Sequence, residues 1–144
     1  MQCLFTSDLH GEPRKYERLF RTVAAERPDA VFLGGDLLPG GAAGAFLAES
    51  LAPALRALRE ELGTGFPRIL LIMGNDDERA AEPGVHRMAG EGLLEYIHET
   101  RVPLGAFEAY GYAYVPPTPF PLKDWERYDV SRYVDPGHSI RSSR

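Results

Sequence analysis

The chain has 144 residues, 44% hydrophobic and 26% charged, with a formal net charge of -5; this suits one domain with its own core and excludes the broad basic surface that stable nucleic-acid binding needs. Its single cysteine, Cys3, excludes an intrachain disulfide and hence a disulfide-stapled secreted scaffold. The start "MQCLFTSDLH" lacks the basic and apolar segments of a signal peptide, and no apolar run approaches the ~20 residues of a membrane span, so the expectation is a reduced, cytoplasmic protein with no membrane association.

Residues 2–7 read as a short strand, followed by a helical pattern in which Tyr16, Leu19, Phe20, Val23 and Ala24 recur on one face. Pro13 suits its first turn and Pro28 its stop. A second strand, Ala30 to Leu33, ends in Gly34-Gly35-Asp36. It leads to a longer helix with Leu47, Leu51, Leu55, Leu58 and Leu62 on one face, which Pro53 kinks or restarts.

A third run, Ile69 to Met73, reaches the turn Gly74-Asn75-Asp76-Asp77, and Glu78 to Met88 forms a short helix interrupted by proline. The order βαβαβα implies a parallel sheet with right-handed crossovers, and the continuous apolar strand "ILLIM" implies burial on both faces. Residues 93–98 and 106–115 read as further strands. From Pro116 to the end, prolines at 116, 117, 119, 121 and 136 and the lack of any period predict an extended loop and tail. Cys3, in a strand, reads as a small buried hydrophobe.

Each of the first three strands ends in groups that can bind a metal or a phosphate: Asp8 and His10, then Asp36, then Asn75 and Asp76. In an open α/β sheet, ligands bind at the carboxyl ends of the strands. Asp8 and His10 are two apart, so an extended segment would point both the same way. Carboxylates with an imidazole suit Mn, Fe or Zn better than Ca or Mg. No glycine-rich phosphate loop follows the first strand, which sets aside a simple nucleotide-binding module.

"SDLHG" at 7–11, "GGDLL" at 34–38 and "MGNDD" at 73–77 resemble, in order, the Asp-x-His, Gly-Asp and Gly-Asn-His-Asp/Glu blocks of the calcineurin-like metallophosphoesterases. The stretch "YGYAYVPPTPFPLKDWERYD" is similar to a loop of a prokaryotic branch related to cyclic-nucleotide phosphodiesterases. The resemblance implies an α/β metallophosphoesterase-type sandwich, α/β/β/α when complete, of which this chain carries mainly the first βαβαβ sheet. It implies that Asp8 and His10 bind a first divalent metal, Asp36 bridges two, and Asn75 binds the second. Two such metals would clamp the phosphoryl group of a phosphorylated small molecule or nucleotide, and the metal-activated hydroxide would hydrolyse a phosphomonoester or phosphodiester.

Two departures stand out. Asp76 occupies the place of the family histidine that assists the transition state or leaving group, and a carboxylate does that work only with a raised pKa, for which the adjacent Asp77 is a candidate perturber. The later histidine blocks are missing: Gly137-His138-Ser139-Ile140 carries Ile where the second His belongs, His86 reads as a surface-helix residue, and His98 as a core one. The expectation is a single domain over 1–144, incomplete at its C-terminus, whose uncovered sheet face a homodimer would cover. The alternative is a catalytically inactive scaffold of the same fold. Trp125, Tyr128 and Tyr133 could line a substrate mouth, although packing of the long loop is the simpler use.

Overall fold

The computed structural model describes residues 1–128. Strands β1 (Cys3–Thr6), β2 (Ala30–Gly34), β3 (Arg68–Ile72) and β4 (Glu95–Tyr96) form one parallel sheet in that spatial order. Between them run α1 (Pro13–Glu26), a segment of α2 (Ala43–Phe46) and α3 (Ala52–Leu62), and α4 (Glu82–Gly90). The βαβαβα order read from the sequence therefore holds.

Local chemistry sets the helix limits. Pro13 opens α1, where a missing N–H costs nothing, and Arg27 closes it in a left-handed conformation (φ 46°) with its N–H on the Val23 carbonyl, just before Pro28. Pro53 neither breaks the second helix nor bends it freely. It lacks an N–H and its ring crowds the carbonyl of Glu49, and the chain widens into one π turn over Leu47–Leu51, with the Ala52 N–H reaching back to Leu47. The helical stripe survives this: Leu47, Leu51, Leu55, Leu58 and Leu62 are all buried.

Consecutive parallel strands with right-handed crossovers place their helices on one face of the sheet. One core cluster accordingly joins Val31, Leu33, Ile69 and Leu71 to Leu19 and Val23 of α1, the leucine stripe, and Val85 and Met88 of α4. Burying side chains of this size contributes about 1.5–3 kcal/mol each.

The other face is covered only in part. Strands β5 (Arg101–Leu104) and β6 (Phe107–Tyr110) form an antiparallel pair, and Leu104 joins Ala30, Leu70 and Ile97 in a second, smaller cluster. Arg68 ties this pair to the sheet: it donates to both oxygens of Glu95, at 2.7 and 2.8 Å, and to the Pro103 carbonyl. Glu95 consequently sits below the usual carboxylate range, first through that hydrogen bond.

The cover stops short of the β1 edge. Cys3 is exposed rather than buried, and Phe5 is 69% exposed, resting its ring over Gly34, where an added Cβ would lie 2.5 Å from it. The reading of Cys3 as a buried hydrophobe is thus corrected: it lies on an edge strand, on the face away from the helices.

Other boundaries differ as well. Of 93–98 only Glu95–Tyr96 pairs as a strand, with His98 forming an isolated bridge to Gly111. The predicted strand 106–115 shrinks to β6, and β5 was hidden by Pro103. The fourth helix begins at Glu82 after a single 3₁₀ turn, Arg79–Ala81. Beyond Pro116 the described residues are irregular, as read, apart from a bridge between Val115 and Glu126. Tyr133 and the Gly137–Ile140 stretch lie outside the described residues.

Candidate metal centre at the strand ends

The loop after β1 is laid onto the loop after β2 by backbone hydrogen bonds. Asp8, His10 and Gly11 donate to the carbonyls of Gly35, Asp36 and Leu37 at 3.1, 2.9 and 2.8 Å. Asp8 (φ 59°), His10 (φ 50°) and Asp36 (φ 54°) all take the left-handed backbone conformation, which costs a non-glycine residue about 1–2 kcal/mol. Of the five non-glycine residues in this conformation among the described residues, three are polar residues that the sequence singled out; the others are Arg27 and Glu99. Leu9, between Asp8 and His10, is buried.

This geometry corrects one step of the sequence argument. Asp8 and His10 do converge, but the segment is a turn rather than an extended strand, and the two left-handed residues aim both side chains while Leu9 anchors the turn in the core. A third loop closes the site. The Gly74 Cα lies so near Asp36 that an added Cβ would be 2.3 Å from both the Asp36 amide nitrogen and its Oδ1. Glycine there is a requirement of close approach.

The result is a cluster in which ligand atoms of Asp8, His10 and Asp36 all lie within 4.8 Å of one another. The His10 Nε2 is 4.0 Å from Asp8 Oδ1, and its Nδ1 is 3.3 Å from Asp76 Oδ2. The Ser7 hydroxyl donates to Asp8 Oδ2, and the Lys15 ammonium donates to the Asp8 carbonyl at 2.8 Å. Asp36 Oδ1 accepts the backbone N–H of Asp76 at 2.8 Å. Asn75 lies half-buried in the same turn. Two carboxylates and one imidazole converging on one point at the rim of the sheet fit a first-row divalent cation.

Beneath this rim stands a residue that sequence reasoning misjudged. Asp77 is fully buried. Its Oδ1 accepts the N–H groups of Leu37 and Leu38, both at 2.8 Å, and its Oδ2 accepts that of Gly74 at 2.9 Å. Burial pushes its carboxyl above the usual range, against the pull of the three amides and with a smaller push from Asp36. Asp77 thus spends its oxygens joining the second strand-end loop to the third and is no perturber aimed at Asp76. Its own carbonyl accepts the Trp125 indole N–H at 2.7 Å.

Tyr16 supports the same loop from α1, donating its hydroxyl to the Leu37 carbonyl at 2.9 Å. Its phenol is held far above its ordinary value by burial first and by Asp77 second. Trp125 is completely buried and carries the Arg79 guanidinium 5.1 Å from its ring centre, so its use is packing and not a substrate mouth. The sequence offered one signal for this: it is the only Trp of the chain. Tyr128 is half-buried.

The two remaining histidines of the described residues stay out of the cluster. His86 is exposed on α4, edge-on to Tyr96 at 5.1 Å between ring centres. The side chain of His98 is enclosed by Tyr112, Tyr114 and Trp125, where its Nδ1 accepts the Ala113 N–H at 3.1 Å. Burial lowers its pKa below the ordinary histidine value.

The family model of the calcineurin-like phosphoesterases matches residues 1–141 of the chain. One solved crystal structure superposes with a TM-score of 0.51 at 15% identity, covering 77% of this chain and 52% of that one, a likeness of fold alone. The chain therefore spans about half the length of the protein it superposes on. No curated protein matches it. Among the described residues no helix is long and apolar enough to cross a membrane.

Proposed function

Because the chain belongs to the calcineurin-like phosphoesterase family, we propose that it supplies the site of a metal-dependent hydrolase acting on a phosphomonoester or phosphodiester. In this reading Asp8 and His10 hold a first divalent cation, Asp36 bridges to a second, and Asn75 reaches the second. The observation that carries it is the clustering of Asp8, His10 and Asp36 on three strained backbone positions. Local strain of this kind persists where the surrounding structure imposes it, and it concentrates at functional sites.

When bound, such cations supply Lewis acidity to the phosphoryl oxygens and acidify a water enough to attack phosphorus at neutral pH. The protein's part is to fix the donors. The ladder from Asp8, His10 and Gly11 onto the second loop sets the distance between first and second strand ends. The Asp76 amide holds the carboxylate of Asp36, and Gly74 lets the third loop come close enough to do so. Preorganisation of this kind costs no rearrangement during the reaction.

A noncatalytic interaction domain is the second reading. It is favoured by the ligand count: from the described residues the second cation would receive only Asp36 and Asn75, while His86 and His98 stand outside the cluster of Asp8, His10 and Asp36. Calorimetric titration with Mn²⁺ and hydrolysis of bis-p-nitrophenyl phosphate, on the chain and on Asp36→Asn, separate the two. Binding and turnover that both vanish in Asp36→Asn support the hydrolase. A chain that neither binds Mn²⁺ nor hydrolyses the ester supports the interaction domain.

A further inference from the structure

We propose that Asp76 is a positioning residue for the metal centre, holding the His10 ring through its carboxylate and Asp36 through its backbone amide. The proposal rests on the reading of Asp8, His10 and Asp36 as cation ligands. Its basis is the way His10 is bracketed. Imidazole has two nitrogens on opposite edges of the ring, and in the neutral form one donates while the other accepts. Asp76 Oδ2 lies 3.3 Å from Nδ1, and Asp8 Oδ1 lies 4.0 Å from Nε2.

A proton on Nδ1, the nitrogen nearer Asp76, would leave the Nε2 lone pair on the side of Asp8. A carboxylate behind a metal-binding histidine fixes its tautomer and orientation and raises its basicity. The His10 side chain is 41% exposed, so little packing holds the ring, and the Asp76 carboxylate 3.3 Å from Nδ1 is its nearest acidic group. The same residue donates its N–H to Asp36 Oδ1 at 2.8 Å, so one residue of the third loop braces ligands from the first two. Asp76 itself stays outside the three-residue cluster. A proton donor to a leaving group would need a free, protonated carboxyl facing substrate, whereas this carboxylate faces an imidazole.

The test uses the whole chain with Asp76→Ala and Asp76→Asn, each checked for an unchanged thermal midpoint and circular dichroism spectrum. Mn²⁺ affinity is measured by calorimetry. Alanine should weaken binding roughly 10–100-fold, the usual loss for such an outer partner. Asparagine, whose amide oxygen still accepts from Nδ1, should lose less. Equal losses in both variants would make Asp76 a ligand in its own right and overturn the proposal; unchanged affinity in both would overturn it too.

Nitrogen-15 NMR of the His10 ring without metal, recorded over a pH series up to about pH 8, gives a second readout. The wild type should show the Nδ1–H tautomer and Asp76→Ala a shift toward Nε2–H. An unchanged tautomer would overturn the proposal even if the wild type bound no metal. Failure of the underlying reading would show separately, as wild-type Mn²⁺ affinity indifferent to Asp36→Asn.

Discussion

Asp76 and Asp77 are neighbours in sequence and belong to two different regions of the molecule. Asp76 stands on the exposed rim with Asp8, His10 and Asp36, where carboxylates are held close together on strained backbone. Asp77 stands in the layer below with Tyr16 and Trp125, fully buried and satisfied by backbone N–H groups. The rim holds acidic side chains near one another, an arrangement whose repulsion a bound cation would relieve. The lower layer supplies the stability against which that repulsion is set. Removing residues from the two layers should therefore have opposite consequences.

The largest effect is expected at Asp77. Asp77→Ala strips three backbone N–H groups of their acceptor, and each buried donor left without a partner costs about 1–3 kcal/mol. The loss should be roughly 3 kcal/mol or more, read as a drop in the urea midpoint. The Mn²⁺ affinity of the variant should fall as well, since the loops carrying Asp36 and Asn75 lose their common tie. A stability change below about 1 kcal/mol would show that water replaces the carboxylate, and the distinction between layers would fail.

Gly74 links the layers and comes next. An alanine Cβ there would lie 2.3 Å from the Asp36 amide nitrogen, so backbone must move. Overpacking of this sort costs about 1–3 kcal/mol. Gly40, in the loop after β2, offers the control: a Cβ there would meet nothing within 4 Å, and Gly40→Ala should change stability by less than about 0.5 kcal/mol. Comparable losses at both positions would mean that the close approach of the third loop is not rigid.

The buried aromatic surroundings of His98 predict a pH dependence. Its pKa lies below the ordinary histidine value of about 6.5, with burial the leading cause. The unfolded chain then binds a proton that the folded chain refuses between the lowered value and about 6.5, so folding stability falls as pH drops through that window. Urea midpoints between about pH 7.5 and pH 5.5 should decline in the wild type, and His98→Gln should flatten the decline. An identical slope in the variant would assign the effect to other groups.

How far the sequence reveals these layers follows from what each residue does locally. The convergence of Asp8, His10 and Asp36 was legible because each follows an apolar strand and the sheet topology brings strand ends together. The helices were legible from their apolar stripes, down to the leucines on either side of Pro53. Asp77 was not: Asn-Asp-Asp after a glycine is also ordinary turn chemistry, and its partners lie 40 and 39 residues away in sequence. Strand β5 was obscured by Pro103, which cannot donate to a ladder but is tolerated in a two-stranded pair. The exposure of Cys3 could not be read because β1 is apolar on both faces, and only the sheet order makes it an edge.

The smallest expected change in stability, at Asp36, is the most informative about the rim. Asp36→Asn keeps an oxygen to accept the Asp76 N–H and removes one negative charge beside Asp8. Without metal, stability should stay within about 0.5 kcal/mol of wild type or rise slightly, since residues kept for function are commonly not those that stabilise the fold. With Mn²⁺ in excess the order should reverse, because a ligand bound only to the native state stabilises wild type by about 2.7 kcal/mol at one hundred times its dissociation constant. A crossing of the two thermal midpoints as Mn²⁺ is added would show that the rim is built around a cation. A variant midpoint below wild type at every Mn²⁺ concentration would place Asp36 with Asp77, as part of the framework, and one never below it would mean that no cation binds the rim.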